Sequence, residues 1–286
     1  MFVIIPSRIS SSRLPRKPLA DILGKPMVIR VAEKARQFCS NVCVATDSKE
    51  IVEVCTNNGV QSVLTSEHHA TGTDRLAEAG ELLKLKDDDI IVNLQGDEPL
   101  MPVSALAKVA SLLEKNPNAD IATLGHPINS LDEFLSPNVV KIVLNHKNEA
   151  LYFSRATIPY PRDAFRKDDK SLPSEVVALH HLGLYAYRMR FVRKFPELVV
   201  PHIEAWESLE QLRALYYGYS IQVGILDEAL PPGVDTPEDL ERVRKIFSGN
   251  DSVWEALQKY PEQSFAQKFS LCNRQKLSER KIKEGF

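Results

Sequence analysis

The stretch PSRISSSRLPRKPL, residues 6–19, carries Arg8, Arg13, Arg16 and Lys17 among four serines and three prolines. It follows directly on the apolar run FVII, so the charge is set where a strand should end. Such a loop can receive an anion. Its backbone N–H groups can form an anion-binding concavity. Arginine grips phosphate oxygens in pairs, and lysine acts as a compact point charge. Neither GxxxxGK[ST] nor GxGxxG is present, so this is not a P-loop or a dinucleotide fingerprint. From composition alone two readings stay open, a phosphate site and a solvated basic loop. Asp97, in NLQGDEP, stands just past an apolar run where a charge has no packing role. Asp235, in GVDTPED, stands just before a helix start. Taken singly, Asp97 reads equally as a turn residue and Asp235 as a turn or accessory cap. Brought together, two aspartates can share magnesium, which prefers carboxylate and phosphate oxygens. A cationic loop, two loop aspartates and a parallel sheet together read as chemistry on a nucleoside triphosphate.

These residues need a frame that gathers them. Strand-like runs at Phe2–Ile5, Asn41–Ala45, Val60–Leu64 and Asp89–Leu94 alternate with helical patterns. Val28, Val31, Ala32 and Ala35 form one apolar stripe, and Leu106, Val109, Ala110 and Leu113 another. Ser48 is placed to cap a helix over Ser48–Asn57, and a further helix is expected over Thr73–Leu85. Strands separated by helices imply right-handed βαβ units on a parallel sheet, with ligands beyond the carboxyl ends of the strands. The loops PSRISSS, ATD (45–47) and QGDEP (95–99) should therefore meet at one edge. Further on, KIVLN (141–145), ALYFSRA (150–156), HHLGLYAYR (180–188) and Ser220–Leu226 read as extended, and Ala205–Tyr217 as one helix. Arg162–Glu175 is a polar loop. Thr236 caps a last helix with Pro237 at its first position.

The chain has 286 residues, 43% hydrophobic and 26% charged, with net charge −2. That suits a globular protein without a general nucleic-acid footprint. No apolar run approaches the ~20 residues of a membrane span, and MFVIIPSR lacks the basic start of a signal peptide. A cytoplasmic protein is expected. Cys39, Cys43 and Cys55 fall in apolar segments, and the four cysteines lack metal-site spacing, so they read as structural thiols. His68 and His69 read as a surface loop rather than a metal pair. His180 and His181 point to opposite sides of a strand. Trp206 reads as core or subunit contact, and SLEQLRALYY also as an amphipathic core helix.

Eight blocks resemble, in order, the motifs of the bacterial CMP-Kdo synthetases, which are 3-deoxy-manno-octulosonate cytidylyltransferases. They are PSRISSSRLPRKPLADILGKPM, VATDS, HATGTDRLAEA, NLQGDEP, ALYFSRATIPYPR, HLGLYAYR, SLEQLRALYYG and GVDTPEDLERV. The resemblance spans residues 2 to about 247. It implies an α/β nucleotidyltransferase fold, a three-layer, Rossmann-like, mostly parallel mixed sheet with a smaller dimerisation and sugar-binding subdomain over roughly 125–220. Residues 248–286 would be an extension. It implies a homodimer that joins CTP and Kdo to CMP-Kdo with release of pyrophosphate, for lipopolysaccharide synthesis.

By position, the resemblance implies that Arg8, Arg13 and Lys17 hold the triphosphate, with polar contacts from Ser11 and Ser12. Ala45, Thr46, Asp47, Thr71, Gly72 and Thr73 would line the cytidine pocket, with Arg75 nearby. Asp97 and Asp235 would bind Mg2+. Gln95, Arg155, His181, Tyr185, Glu210 and Gln211 would meet the sugar. His69 aligns with a family histidine near the cytosine pocket. This chain departs from the pattern at Arg16, usually glycine, at Ser7, often alanine, at His180, usually a cation, and in the length of the 162–175 loop. The alternatives are the same chemistry on a related acidic sugar such as 8-amino-Kdo, and a silent nucleotide-binding relative.

Overall fold

The computed structural model describes residues 1–10, 13–69, 71–166, 172 and 178–249. The first half alternates strictly: β1 (Phe2–Ser7), α1 (Met27–Arg36), β2 (Val42–Thr46), α2 (Lys49–Asn57), β3 (Gln61–Leu64), α3 (Gly72–Leu82), β4 (Ile90–Asn93) and α4 (Val103–Lys115). Each helix has a local cause. Val28, Val31, Ala32 and Ala35 are all buried on α1. The Ser48 hydroxyl accepts from the Ile51 N–H and caps α2. Thr71 and Asp74 cap α3 reciprocally, each side chain accepting from the other's backbone N–H. That capping box starts α3 at Gly72 and not at Thr73, and the helix stops at Leu82.

The second half contains β5 (Ile121–Pro127), α5 (Leu131–Leu135), β6 (Lys141–Leu144), β7 (Ala150–Ser154), β8 (Leu179–Arg188), α6 (Met189–Lys194), α7 (His202–Glu207), α8 (Gln211–Tyr216), β9 (Ile221–Ile225) and α9 (Pro237–Phe247). The sheet runs β3-β2-β1-β4-β8-β5-β9, with β6 and β7 extending from β8. Along that order β8 alone runs against its neighbours: it is antiparallel to both β4 and β5. The sheet is thus mostly parallel and mixed. Strands β5, β8 and β9 belong to the same sheet as β1–β4, and β6 and β7 add a hairpin to it.

Successive side chains of a strand face opposite ways. Val3 and Ile5 enter one core with α1, α4 and α9, while Ile4 enters another with α3, α6 and α8. Helices on both faces make three layers. Cys43 and Cys55 are buried in them, and burial pushes the thiols up to about 12 and about 11, which keeps both protonated and inert.

One expectation fails here. Ala205–Tyr217 is not one helix. Ser208 takes a left-handed conformation, φ 51°, and separates α7 from α8. The break lets the Glu207 carboxylate turn to the end of β7, where it accepts from the Ser154 hydroxyl and the Arg155 N–H. Across the break Arg213 forks onto Glu204 at 2.6 and 2.7 Å and lies over the Phe195 ring. Trp206 is 82% exposed, which leaves subunit contact of the two readings for it.

Arg16, where the resemblance expects glycine, has φ 55°. A side chain there costs about 1–2 kcal/mol. Arg16→Gly should therefore exceed Arg16→Val in stability by about 1–2 kcal/mol or more, since a β-branched residue suffers most in this conformation. Both variants lose the exposed Arg16–Glu50 ion pair, so urea midpoints of the two isolate the backbone strain.

Candidate active site

The loops after β1 and β4 meet at the carboxyl edge of the sheet, as strand order requires. They enclose a cavity of about 380 Å³ lined by Arg8, Arg13, Lys17, Gln95, Asp97 and Asp235, among others. Gly72 also lines it, so the N-terminus of α3 and its partial positive charge face the cavity. Gly96 permits the close approach of the two loops. A Cβ on it would meet the Pro6 carbonyl and the Ser7 hydroxyl, both at 3.1 Å. The Ser7 Oγ is buried without a partner among the described residues and lies in the cavity wall.

Two carboxylates far apart in sequence converge here. The Val234 N–H donates to the Asp97 carbonyl at 2.8 Å, which draws residue 235 beside residue 97. Thr236 and Asp239 form the capping box of α9, so the Asp235 side chain is not needed as a cap. The Lys17 ammonium then joins the pair, 2.6 Å from Asp97 Oδ2 and 3.1 Å from Asp235 Oδ1. Arg13 reaches Asp235 Oδ2 at 3.2 Å. Burial alone would lower the Lys17 pKa, but the two aspartates outweigh it and hold it above its ordinary value. Both carboxylates therefore reach a single point. Their hard oxygen donors, set among cations that suit phosphate, fit Mg2+.

Sequence reasoning missed Glu98. Its Oε2 is buried without a partner among the described residues, and burial, with the charge of Asp97 beside it, pushes the carboxyl up to about 8. Apart from its place next to Asp97, nothing in the sequence marks it.

The residues expected around cytidine divide. Ala45 and Thr46 are fully buried. Asp47 turns inward and grips Arg75 at 3.0 Å, while its other oxygen accepts from the Ile9 N–H at 3.2 Å. Asp47 thus anchors the backbone of the cationic loop. Arg75 is 1% exposed, bonds the Thr65 hydroxyl as well, and still lines the cavity. Arg8 donates to the His69 carbonyl at 3.1 Å, and the His69 ring pairs with Glu78. His68 is exposed. Ser11 and Ser12 lie outside the described residues.

The residues expected around the sugar also divide. Gln95 stands in the large cavity, beside Asp97. Tyr185, Glu210 and Gln211 line a second, smaller cleft of about 70 Å³ with Thr73. Gly72 faces the first cavity and Thr73 the second, so the first turn of α3 separates them. Glu210 accepts from the Thr73 hydroxyl, and burial lifts its carboxyl above the ordinary value in spite of that bond. The Gln211 Nε2 is buried and, among the described residues, unpartnered. Arg155 is committed elsewhere: it donates to the Glu207 carbonyl at 2.7 Å and the Pro137 carbonyl at 3.1 Å.

His181 and His180 do face opposite ways. His181 packs against Tyr185 and Phe153, with Nε2 3.0 Å from the Thr123 hydroxyl. Burial, helped by His180, drives its pKa down to about 3. The unfolded chain therefore takes up a proton near pH 6.5 that the folded chain refuses. The resulting stability is present above pH 6.5 and is lost as pH falls toward 3. At pH 5 the loss is about 2 kcal/mol. Between pH 7 and 5, wild type should lose about 2 kcal/mol more stability than His181→Gln in urea titrations.

A mostly parallel three-layer sheet with cations and paired carboxylates at its carboxyl edge defines a nucleotidyltransferase. The match to known proteins narrows the class. The family model for cytidylyltransferases matches residues 2–221. A 3-deoxy-manno-octulosonate cytidylyltransferase of Neisseria gonorrhoeae (strain NCCP11945) is 50% identical over 246 residues, 86% of this chain and 97% of that protein. One from Polynucleobacter necessarius subsp. necessarius (strain STIR1) is 51% identical over 247 residues, 86% and 95% of the two chains. The solved structure of a CMP:2-keto-3-deoxy-manno-octonic acid synthetase complexed with CTP is 39% identical with TM-score 0.78, covering 87% of this chain and 99% of that one. The chain belongs to the cytidylyltransferase family.

Proposed function

We propose that this protein activates Kdo with CTP, giving CMP-Kdo and pyrophosphate for lipopolysaccharide synthesis. The observation that carries the reading is the meeting of Asp97, Asp235 and Lys17 at one point inside a cavity of phosphate-binding cations. The anomeric hydroxyl of the sugar attacks the α-phosphorus of CTP in line, and pyrophosphate leaves. The nucleophile comes with the substrate, so no covalent enzyme intermediate is required.

Asp97 and Asp235 would hold Mg2+. Bound there, the ion supplies Lewis acidity, lowering the pKa of the sugar hydroxyl and neutralising phosphate charge. Arg8 and Arg13 bind the triphosphate, and the N-terminus of α3 adds partial positive charge. Lys17, which bridges the two carboxylates in the free protein, would turn to the phosphate oxygens and stabilise charge as it shifts toward the leaving group. Asp47 and Arg75 keep the loop in place. Tyr185, Glu210 and Gln211 offer a sugar-facing wall, and the unpartnered Gln211 amide is a donor ready for a sugar oxygen. The cleft of about 70 Å³ lies well below the roughly 300–1,000 Å³ of ordinary ligand sites, so sugar binding must open it.

Val199, Trp206 and Tyr216 are 74%, 82% and 61% exposed around α7 and α8, a surface suited to a second copy in a homodimer. The need for CTP is consistent with a cytoplasmic location, and among the described residues no helix is long and apolar enough to cross a membrane.

Pyrophosphate release tests the reading, with CTP, UTP, ATP and GTP crossed against Kdo, 8-amino-Kdo and sialic acid. Release with CTP and Kdo above all other pairs is expected. A preference for 8-amino-Kdo would change the sugar, and release with none would leave a nucleotide-binding protein without turnover.

A further inference from the structure

In the antiparallel pairing of β5 with β8, His126 stands opposite His180. Opposed residues of a strand pair project from the same face. His126 Nε2 and His180 Nδ1 are 3.1 Å apart, and His180 Nδ1 is 3.0 Å from Glu133 Oε1 on α5. All three atoms lie within 4.8 Å of one another.

The proton count is unbalanced. His126 Nδ1 is 3.0 Å from the Pro127 carbonyl, which accepts only, so that nitrogen carries the hydrogen. Nε2 therefore presents a lone pair. His126 is only 7% exposed, which favours the neutral ring. The Glu133 carboxylate also presents lone pairs. His180 Nδ1 has at most one hydrogen to give, and two acceptors face it. At any instant one of them lacks a donor among the described residues, and of the two only Glu133, 28% exposed, has solvent to turn to.

A cation corrects this. We propose that His126 Nε2, His180 Nδ1 and the Glu133 carboxylate bind a borderline transition-metal dication, with zinc as the reference ion and water in the fourth position. Ligands about 2.0–2.1 Å from a tetrahedral ion stand about 3.3 Å from each other, close to the two shorter separations. The carbonyl on the far nitrogen of His126 is the partner that metal-bound imidazoles usually have, and it fixes the tautomer beforehand. Two imidazoles with one carboxylate select zinc-like ions over magnesium. The bound ion joins two strands to α5. Phe134 of α5 anchors a small core with Ile128 and Ala178, against which Phe165 and Leu172 pack, so the ion clamps this corner of the fold.

Full-length protein freed of metal with a chelator is titrated with Zn2+ by calorimetry, in excess Mg2+ to keep the Asp97–Asp235 pair engaged. Wild type should bind one more equivalent than His180→Ala and should gain in Tm where the variant does not. Glu133→Gln should weaken that equivalent at least tenfold. Co2+ should give a four-coordinate ligand-field spectrum that His180→Ala lacks. Because His126 is buried, the test rests on the half-exposed His180 and Glu133, whose loss spares the core. Equal zinc stoichiometry and equal Tm gain in wild type and His180→Ala would overturn the proposal, as would displacement of the ion by Mg2+ alone.

Discussion

Asp97→Asn should give a folded protein whose kcat for pyrophosphate release falls by about 10³-fold. Folding survives because the turn carrying Asp97 is built from main chain. The Glu98 N–H donates to the Gln95 carbonyl at 3.2 Å, and the Asp97 carbonyl accepts from Val234 at 2.8 Å. Neither bond uses the carboxylate. Turnover does not survive, because the amide keeps the shape but not the charge, and one neutral oxygen binds a hard dication poorly. A weaker metal site raises the Mg2+ requirement, so the comparison is made at saturating Mg2+. Tm within a few degrees of wild type together with the kinetic loss supports the assignment. Near-normal rates at saturating Mg2+ would remove Asp97 from the chemistry.

How much of this could be read from the sequence depends on where local rules govern. From β1 to α2, the apolar stripe of α1 and the Ser48 cap coincide with the elements they announce, because each helix is terminated by its own neighbours, whereas the Thr71 cap of α3 went unread. The two aspartates were legible for a related reason, as charges beside an apolar run or a helix start need an explanation outside packing. β5 was not legible. All seven of its residues are buried, so IATLGHP shows no alternation, and it ends in Gly125, His126 and Pro127, none a strand former. The break at Ser208 was hidden too, because serine carries no mark of a left-handed backbone. Lys141 gave no sign of its fate: it is fully buried, with its ammonium donating to the carbonyls of Ser136, Val139 and Arg155. Side-chain direction is the general difficulty. Asp47 and Arg155 are polar residues in motif positions, and only the tertiary arrangement turns each of them toward structural partners.

Lys17→Met should produce two effects of opposite sign. In the free protein Lys17 lies where the oxygens of both aspartates converge, so it competes with any cation that would bind them. Its side chain is 16% exposed, and the position holds a butyl-length apolar chain without difficulty. Methionine keeps the packing and removes the charge. Asp97 is then left without its ammonium partner, Asp235 keeps Arg13, and the two carboxylates repel each other. A dication relieves that repulsion. Mg2+ affinity of the nucleotide-free protein should rise about tenfold, which corresponds to about 1.4 kcal/mol. The same substitution removes a cation from the triphosphate, so kcat/KM should fall by about 10²–10³-fold. A residue that only fills space would lower both quantities or neither. Calorimetric titration with Mg2+ beside steady-state pyrophosphate release distinguishes the cases. Tighter Mg2+ with slower turnover identifies Lys17 as an ammonium that yields the carboxylates to the ion and passes to the phosphates. Weaker Mg2+ with unchanged turnover would confine it to holding the loop.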